Sequence, residues 1–213
     1  MKDIKKYKNI ISLGKRCNAS AVIKSKNKLN IRQPRYVFDD AQIKCSTTID
    51  IINLKKENTE KYFTNYFLNS NFDKNGKNTG TGDWFPHDFN KEFRFNKTTQ
   101  QYISINIEET IKNYIEKANR FIDFLENKED KLFFIFFDLE YAPQNEAFMY
   151  KIIKSIKERV KNNSIFFLAY NGKQKNCSDD ILINYTIKKD TWASAEEACA
   201  KWIKSLNILS ETF

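Results

Sequence analysis

The sequence predicts one α/β domain over residues 1–213, a three-layer αβα sandwich with a mostly parallel central sheet. Three observations predict it. Apolar runs at Leu132–Phe137 and Ile165–Tyr170 read as strands buried on both faces, as in sheets covered by helices. Segments with helical apolar spacing alternate with these runs, the order of an α/β sheet. The 213 residues, 41% hydrophobic and 15% aromatic with three prolines and five glycines, supply one sizeable core and little linker.

Asn9 to Leu13 reads as a strand entering a turn at Gly14. A helix is expected from about Cys17 to Lys28, with Ala19, Val22 and Ile23 on its apolar face. Pro34 interrupts the chain, and Tyr36-Val37-Phe38 is a second short apolar run. Asp39 or Asp40 is suited to cap the next helix, which carries Ile43, Ile51, Ile52 and Leu54. Tyr62, Phe63, Tyr66 and Phe67 share one helical face. Residues 69–83 hold Gly76, Gly80 and Gly82 among Asn, Thr and Asp, a turn-rich loop or exposed hairpin that is either functional or a mobile insertion.

Asn106 with Glu109 has the spacing of a capping box. It opens a helix along Ile107, Ile111, Tyr114, Ala118, Phe121 and Leu125. A strand at 132–138 follows, then a helix from about Asn145 that buries Phe148, Met149, Ile152, Ile156 and Val160. The strand at 165–170 stops at Asn171-Gly172, and a further strand is expected over 181–187. Ser194 with Glu197 is a second capping box, opening a helix that carries Cys199, Trp202 and Ile203.

The net charge of +9 admits anionic partners. The lysines are scattered, however, without a dense basic block or an RNA-binding or zinc-finger signature, so no specific nucleic acid is expected. The four cysteines, at 17, 45, 177 and 199, form no CxxC pair, and there is one histidine. No metal and no cofactor is expected. Met1-Lys2-Asp3-Ile4-Lys5-Lys6 leads into no apolar stretch, and the run at 132–137 is far too short to span a membrane. A protein of the reduced cytoplasm is expected, its oligomeric state open.

The chemistry-bearing segment is Ser12-Leu13-Gly14-Lys15-Arg16-Cys17, which sets a cysteine where a strand ends and a helix begins. Free N–H groups at a helix start favour a thiolate, and Lys15 and Arg16 act the same way by charge. The plain alternative is a small buried cysteine. Cys45, Cys177 and Cys199 lack such surroundings and read as structural. A thiol nucleophile needs a proton acceptor, and His87 is the sole histidine. A carboxylate orients such an imidazole. Asp39 and adjacent Asp88 are the candidates, Asp39 slightly favoured. On this reading Cys17 attacks a carbonyl of a peptide, amide or ester, with oxyanion donors from the backbone after Gly14. A rival reading gives Ser12, Gly14, Lys15 and Arg16 an anion such as a sugar phosphate. No Walker or dinucleotide spacing accompanies them. A third reading is a plain interaction domain.

In this order of motifs the chain resembles a bacterial family described as papain-like cysteine peptidases, the DUF1796 group. The resemblance rests on Ser12-Leu13-Gly14-x-x-Cys17, Tyr36-x-Phe38-Asp39, Phe85-x-His87-Asp88-Phe89, Tyr114 with Arg120-Phe121, and the run 132–137, covering about residues 10–138. It implies a thiol hydrolase or transferase centred on Cys17 and His87, with a glycan-linked substrate by analogy with relatives associated with surface-glycan genes. It also names a papain-like α+β fold as the alternative, although the element order here differs from papain's. Two positions depart from the family. Asp40 stands where the family tends to have Trp, and Asp138 where it tends to have Arg, which implies a different ligand or lost activity.

Overall fold

Apolar strands that bury both faces need helices on each side, and parallel strands need long crossovers between them. The computed structural model describes residues 10–13, 18–25, 29–30, 33–39, 41–73, 75–85, 93–96, 101–104, 106–136, 142–160, 165–170, 180–184 and 192–205. In chain order the elements are β1 (Ile10–Leu13), α1 (Asn18–Lys24), α2 (Cys45–Asn53), a 3-10 turn (Lys56–Asn58), α3 (Thr59–Leu68), β2 (Phe93–Asn96), β3 (Gln101–Ser104), α4 (Ile107–Glu126), β4 (Lys131–Phe136), α5 (Ala142–Arg159), β5 (Ile165–Tyr170), β6 (Ile181–Asn184) and α6 (Trp192–Ser205). Helix and strand are thus mixed, as expected of an α/β protein.

Four strands form one sheet in the order β1-β4-β5-β6, each pair parallel. Register lines up side chains across it. Ile11, Phe133, Phe167 and Ile181 form one row, with Phe133 and Phe167 stacked at 5.5 Å between centroids. This row belongs to a core cluster shared with residues of α2, α3, α4 and α5. The alternating residues Ile10, Leu132 and Phe134 pack instead with Ala19, Val22 and Ile23 of α1 and Cys199, Ala200 and Ile203 of α6. Beyond β1 no strand follows among the described residues; the Gln33 carboxamide takes that place. It accepts from the Ile10 N–H (3.2 Å) and donates to the Ile10 carbonyl (2.6 Å), which satisfies an edge otherwise open to pairing.

Several boundaries correct the expectations. Helix α1 ends at Lys24 rather than Lys28, and Asn30 takes a left-handed backbone with φ 55°. Asparagine tolerates that conformation better than most residues, and its N–H closes on the Ser25 carbonyl. Asp39 does not cap α2: the helix begins at Cys45 with Lys44 in the capping position, and the capping carboxylate comes from Asp83. Asp40 lies outside the described residues. Asn106 does precede α4, but no side-chain capping bond forms there, so the box is not made. Ser194 falls inside α6, which starts at Trp192, and cannot cap it. Helix α5 starts at Ala142, earlier than Asn145.

The antiparallel hairpin of β2 and β3, with Phe95 opposite Tyr102, was not foreseen. Nor was the buried start of β4. Lys131 is fully buried, and its ammonium donates to the Asn127 carbonyl, the Asn127 side chain and the Glu129 carbonyl at 2.8–2.9 Å. All three protons are used, which makes the site tolerable for a cation whose pKa burial pushes down. Among the described residues no helix is long and apolar enough to cross a membrane.

Candidate functional site

Strand β1 has one polar side chain, Ser12, on the same face as Ile10 and only 1% exposed. A buried hydroxyl needs a partner. Ser12 Oγ donates to Oδ1 of Asp39, whose carboxylate is itself wholly buried. Residues 36–39 are built as a turn: the Asp39 N–H donates to the Tyr36 carbonyl at 3.1 Å, and the Tyr36 N–H donates back to Asp39 Oδ2 at 2.8 Å. Aromatic packing holds this turn against α4, with Phe38 edge-on to Phe121 at 5.1 Å and Tyr36 tilted against Phe124. Burial, and then the charge of Asp39, push the Tyr36 phenol above its ordinary range.

The countercharge comes from α1. Lys24 Nζ, on a side chain 25% exposed, donates to Asp39 Oδ2. Among the described residues three donors hold this carboxylate, which has about four acceptor positions. Sequence reasoning missed Lys24. The available signal was its place four residues after Ser20, on the buried side of α1.

Of the residues singled out from the sequence, the structure brings Ser12 and Asp39 into direct contact. Gly14, Lys15, Arg16 and Cys17, between β1 and α1, and His87 and Asp88, after Phe85, lie outside the described residues, as do Asp138 and Cys177. Cys199 is a fully buried cysteine in α6 and Cys45 is half-buried, neither in a disulfide among the described residues. Burial pushes the Cys45 thiol up, against a smaller opposing effect of Lys151, which disfavours the thiolate.

A second buried carboxylate, absent from the sequence reading, organises the 69–83 region. Asp83 is completely buried. It accepts from the Lys44 N–H (2.5 Å), Thr47 Oγ1 (2.7 Å), Tyr66 Oη (2.6 Å) and Thr81 Oγ1 (2.6 Å). It thereby joins the start of α2, the face of α3 and its own loop. The region is no loose insertion. Phe72 pairs with Asn78 and Lys77 with Trp84 as isolated bridges, and Trp84 also pairs antiparallel with Gln42, exchanging backbone bonds of 2.7 and 2.8 Å. Phe85 then enters the aromatic core beside Phe67, Phe72 and Tyr114. Gly82, at φ +76°, permits the close turn under Lys44. The visible signal was an acid at the loop exit together with hydroxyl residues at a helix start.

Among the described residues no three His, Cys, Asp or Glu side chains group in a way that could hold a metal ion. Comparison with family models, with curated proteins and with solved structures finds no match to this chain.

Proposed function

We propose that the chain is a thiol-dependent hydrolase or acyltransferase, related to the DUF1796 group, acting on a peptide, amide or ester that is glycan-linked by analogy with that group. Cys17 Sγ attacks the substrate carbonyl carbon, and His87 takes the thiol proton and returns it to the leaving group. Water or an acceptor alcohol or amine then releases the acyl group from sulfur. Asp39 or Asp88 orients the imidazole. The domain carrying this site is a three-layer αβα sandwich, a reading supported by the two core clusters on alternate residues of the sheet.

The observation that carries the proposal is the double anchoring of the 39–42 segment. Asp39 is bonded to β1, whose chain continues from Leu13 to Cys17, and Gln42 is paired with Trp84, three residues before His87. Three residues of extended chain span at most about 11 Å. Cys17, five residues after Ser12, is at most about 18 Å of chain from the Asp39 contact. These lengths allow the thiol and the imidazole to meet beside Asp39, whose carboxylate suits an imidazole N–H.

Timed iodoacetamide labelling near pH 7, read by peptide mass spectrometry, tests this. Cys17 is expected to react about tenfold or more faster than Cys45, Cys177 and Cys199, with the excess lost in His87→Ala. Equal rates at all four thiols overturn the enzyme reading in favour of an anion-binding module on Gly14, Lys15 and Arg16. That module would show phosphate-dependent thermal stabilisation, lost in the Lys15→Ala/Arg16→Ala variant and kept in Cys17→Ala.

A further inference from the structure

We infer that Asp83 is a positioning residue for the proposed site, acting through the backbone pairing of Gln42 with Trp84; the inference rests on the thiol reading above. Among the described residues Asp83 bonds to Lys44, Thr47, Tyr66 and Thr81, so its role in the site is one of placement. It stands directly before Trp84, and one of its oxygens holds the N–H of Lys44, two residues after Gln42. The carboxylate therefore bonds across the end of the pairing that joins the two segments. Asp39 pins the other end of the same segment to β1 and α1. With both ends fixed, the stretch from Asp39 to Lys44 has little freedom to slide along its partner.

The donor set separates this role from simple burial of a charge. Four neutral donors, from α2, α3 and the loop itself, converge on Asp83 in fixed directions, and no salt bridge to it occurs among the described residues. Such an arrangement is directional, because each hydrogen bond constrains angle as well as distance. Loss of the full charge weakens the hold on Lys44, Thr47 and Tyr66, the donors that lie outside the loop. The pairing of Gln42 with Trp84 then loosens, and the relative placement of Asp39 and the chain leading to His87 loosens with it.

The test uses Asp83→Asn and the milder Thr47→Val in the full chain, with Phe167→Leu as a control that weakens the sheet core elsewhere. Three quantities are measured: thermal stability, the pH profile of Cys17 alkylation, and the NMR titration of the imidazole C2–H. The last is assigned without ambiguity because the chain has one histidine. Asp83→Asn is expected to slow Cys17 alkylation about tenfold and to move the histidine midpoint by about half a pH unit. Thr47→Val should shift both in the same direction by less, and Phe167→Leu should lower stability without moving either. The inference is overturned if Asp83→Asn and Phe167→Leu lower stability alike and leave both profiles where they were. Wild-type Cys17 reacting no faster than the other thiols ends the thiol reading instead. The histidine titration still decides, in that case, whether Asp83 fixes the chain that leads to His87.

Discussion

Asp39 and Asp83 are both buried carboxylates, yet they are stabilised by opposite means. Asp39 has a countercharge: Lys24 reaches it from α1 while keeping a quarter of its side chain in water. Asp83 has four neutral donors and lies wholly inside. An ion pair attracts with little regard to direction, so Asp39 tolerates small rearrangements around it. A shell of hydroxyls and amides tolerates far less. The difference suits the first to a place where chemistry occurs and the second to one that fixes geometry.

The comparison breaks most visibly at Asp83. Replacement by alanine leaves the Lys44 N–H and three hydroxyls, on Thr47, Tyr66 and Thr81, without their acceptor. Each stranded donor costs about 1–3 kcal/mol before relaxation. Since water can enter to satisfy some of them, Asp83→Ala is expected to lose about 3–5 kcal/mol in urea unfolding. A loss under 1 kcal/mol would mean that the four bonds are not a cooperative unit.

Much of this arrangement was legible in the sequence, and the limits have physical causes. Strands β4 and β5 announced themselves because both their faces are apolar, and α4 because its apolar residues keep one face for five turns. The helix caps failed because a cap can come from any part of the chain. Asp83 serves α2 from nearly forty residues away, where no local motif records it. The same holds for the candidate site. The interest of Asp39 could be inferred from its type and neighbours, whereas its partner Lys24 depends on how α1 lies against the turn at 36–39. Hairpin β2–β3 was legible in principle, since Phe93-Arg94-Phe95-Asn96 alternates with period two, but four residues make a faint signal.

A second prediction sharpens the contrast from the side of Asp39. Lys24→Met keeps the aliphatic stem and removes the countercharge, leaving Asp39 buried with Ser12 and the Tyr36 N–H as its described partners. Breaking a fully buried pair this way costs about 3–5 kcal/mol. Partial exposure of Lys24 lowers the expectation to about 1–3 kcal/mol, since water reaches the site. Adding Asp39→Asn to Lys24→Met should recover part of the loss, because the uncompensated charge is gone. A double-mutant cycle in urea measures this, and strictly additive losses would show that the pair is not coupled.

The smallest effect is a matter of pH and belongs to Tyr66. Burial first, and then the charge of Asp83 and the hydrogen bond to it, push the Tyr66 phenol well above its ordinary value of 10.0. Its neutral form is the one the fold favours. The stabilisation is therefore complete below about pH 10 and declines above it, where the unfolded phenol ionises while the folded one stays protonated. The decline has a limiting slope of about 1.4 kcal/mol per pH unit for one group. Tyr66→Phe removes one of the bonds to Asp83 and should cost about 1 kcal/mol at pH 7. Above pH 10 the wild type loses stability faster than the variant, although Tyr62, also pushed upward by burial, titrates in both. The gap between them should therefore narrow between pH 9 and 11 in parallel urea titrations. A gap that stays constant across that range would show that Asp83 does not hold the Tyr66 phenol in its protonated form, and the neutral-donor description of this carboxylate would have to be given up.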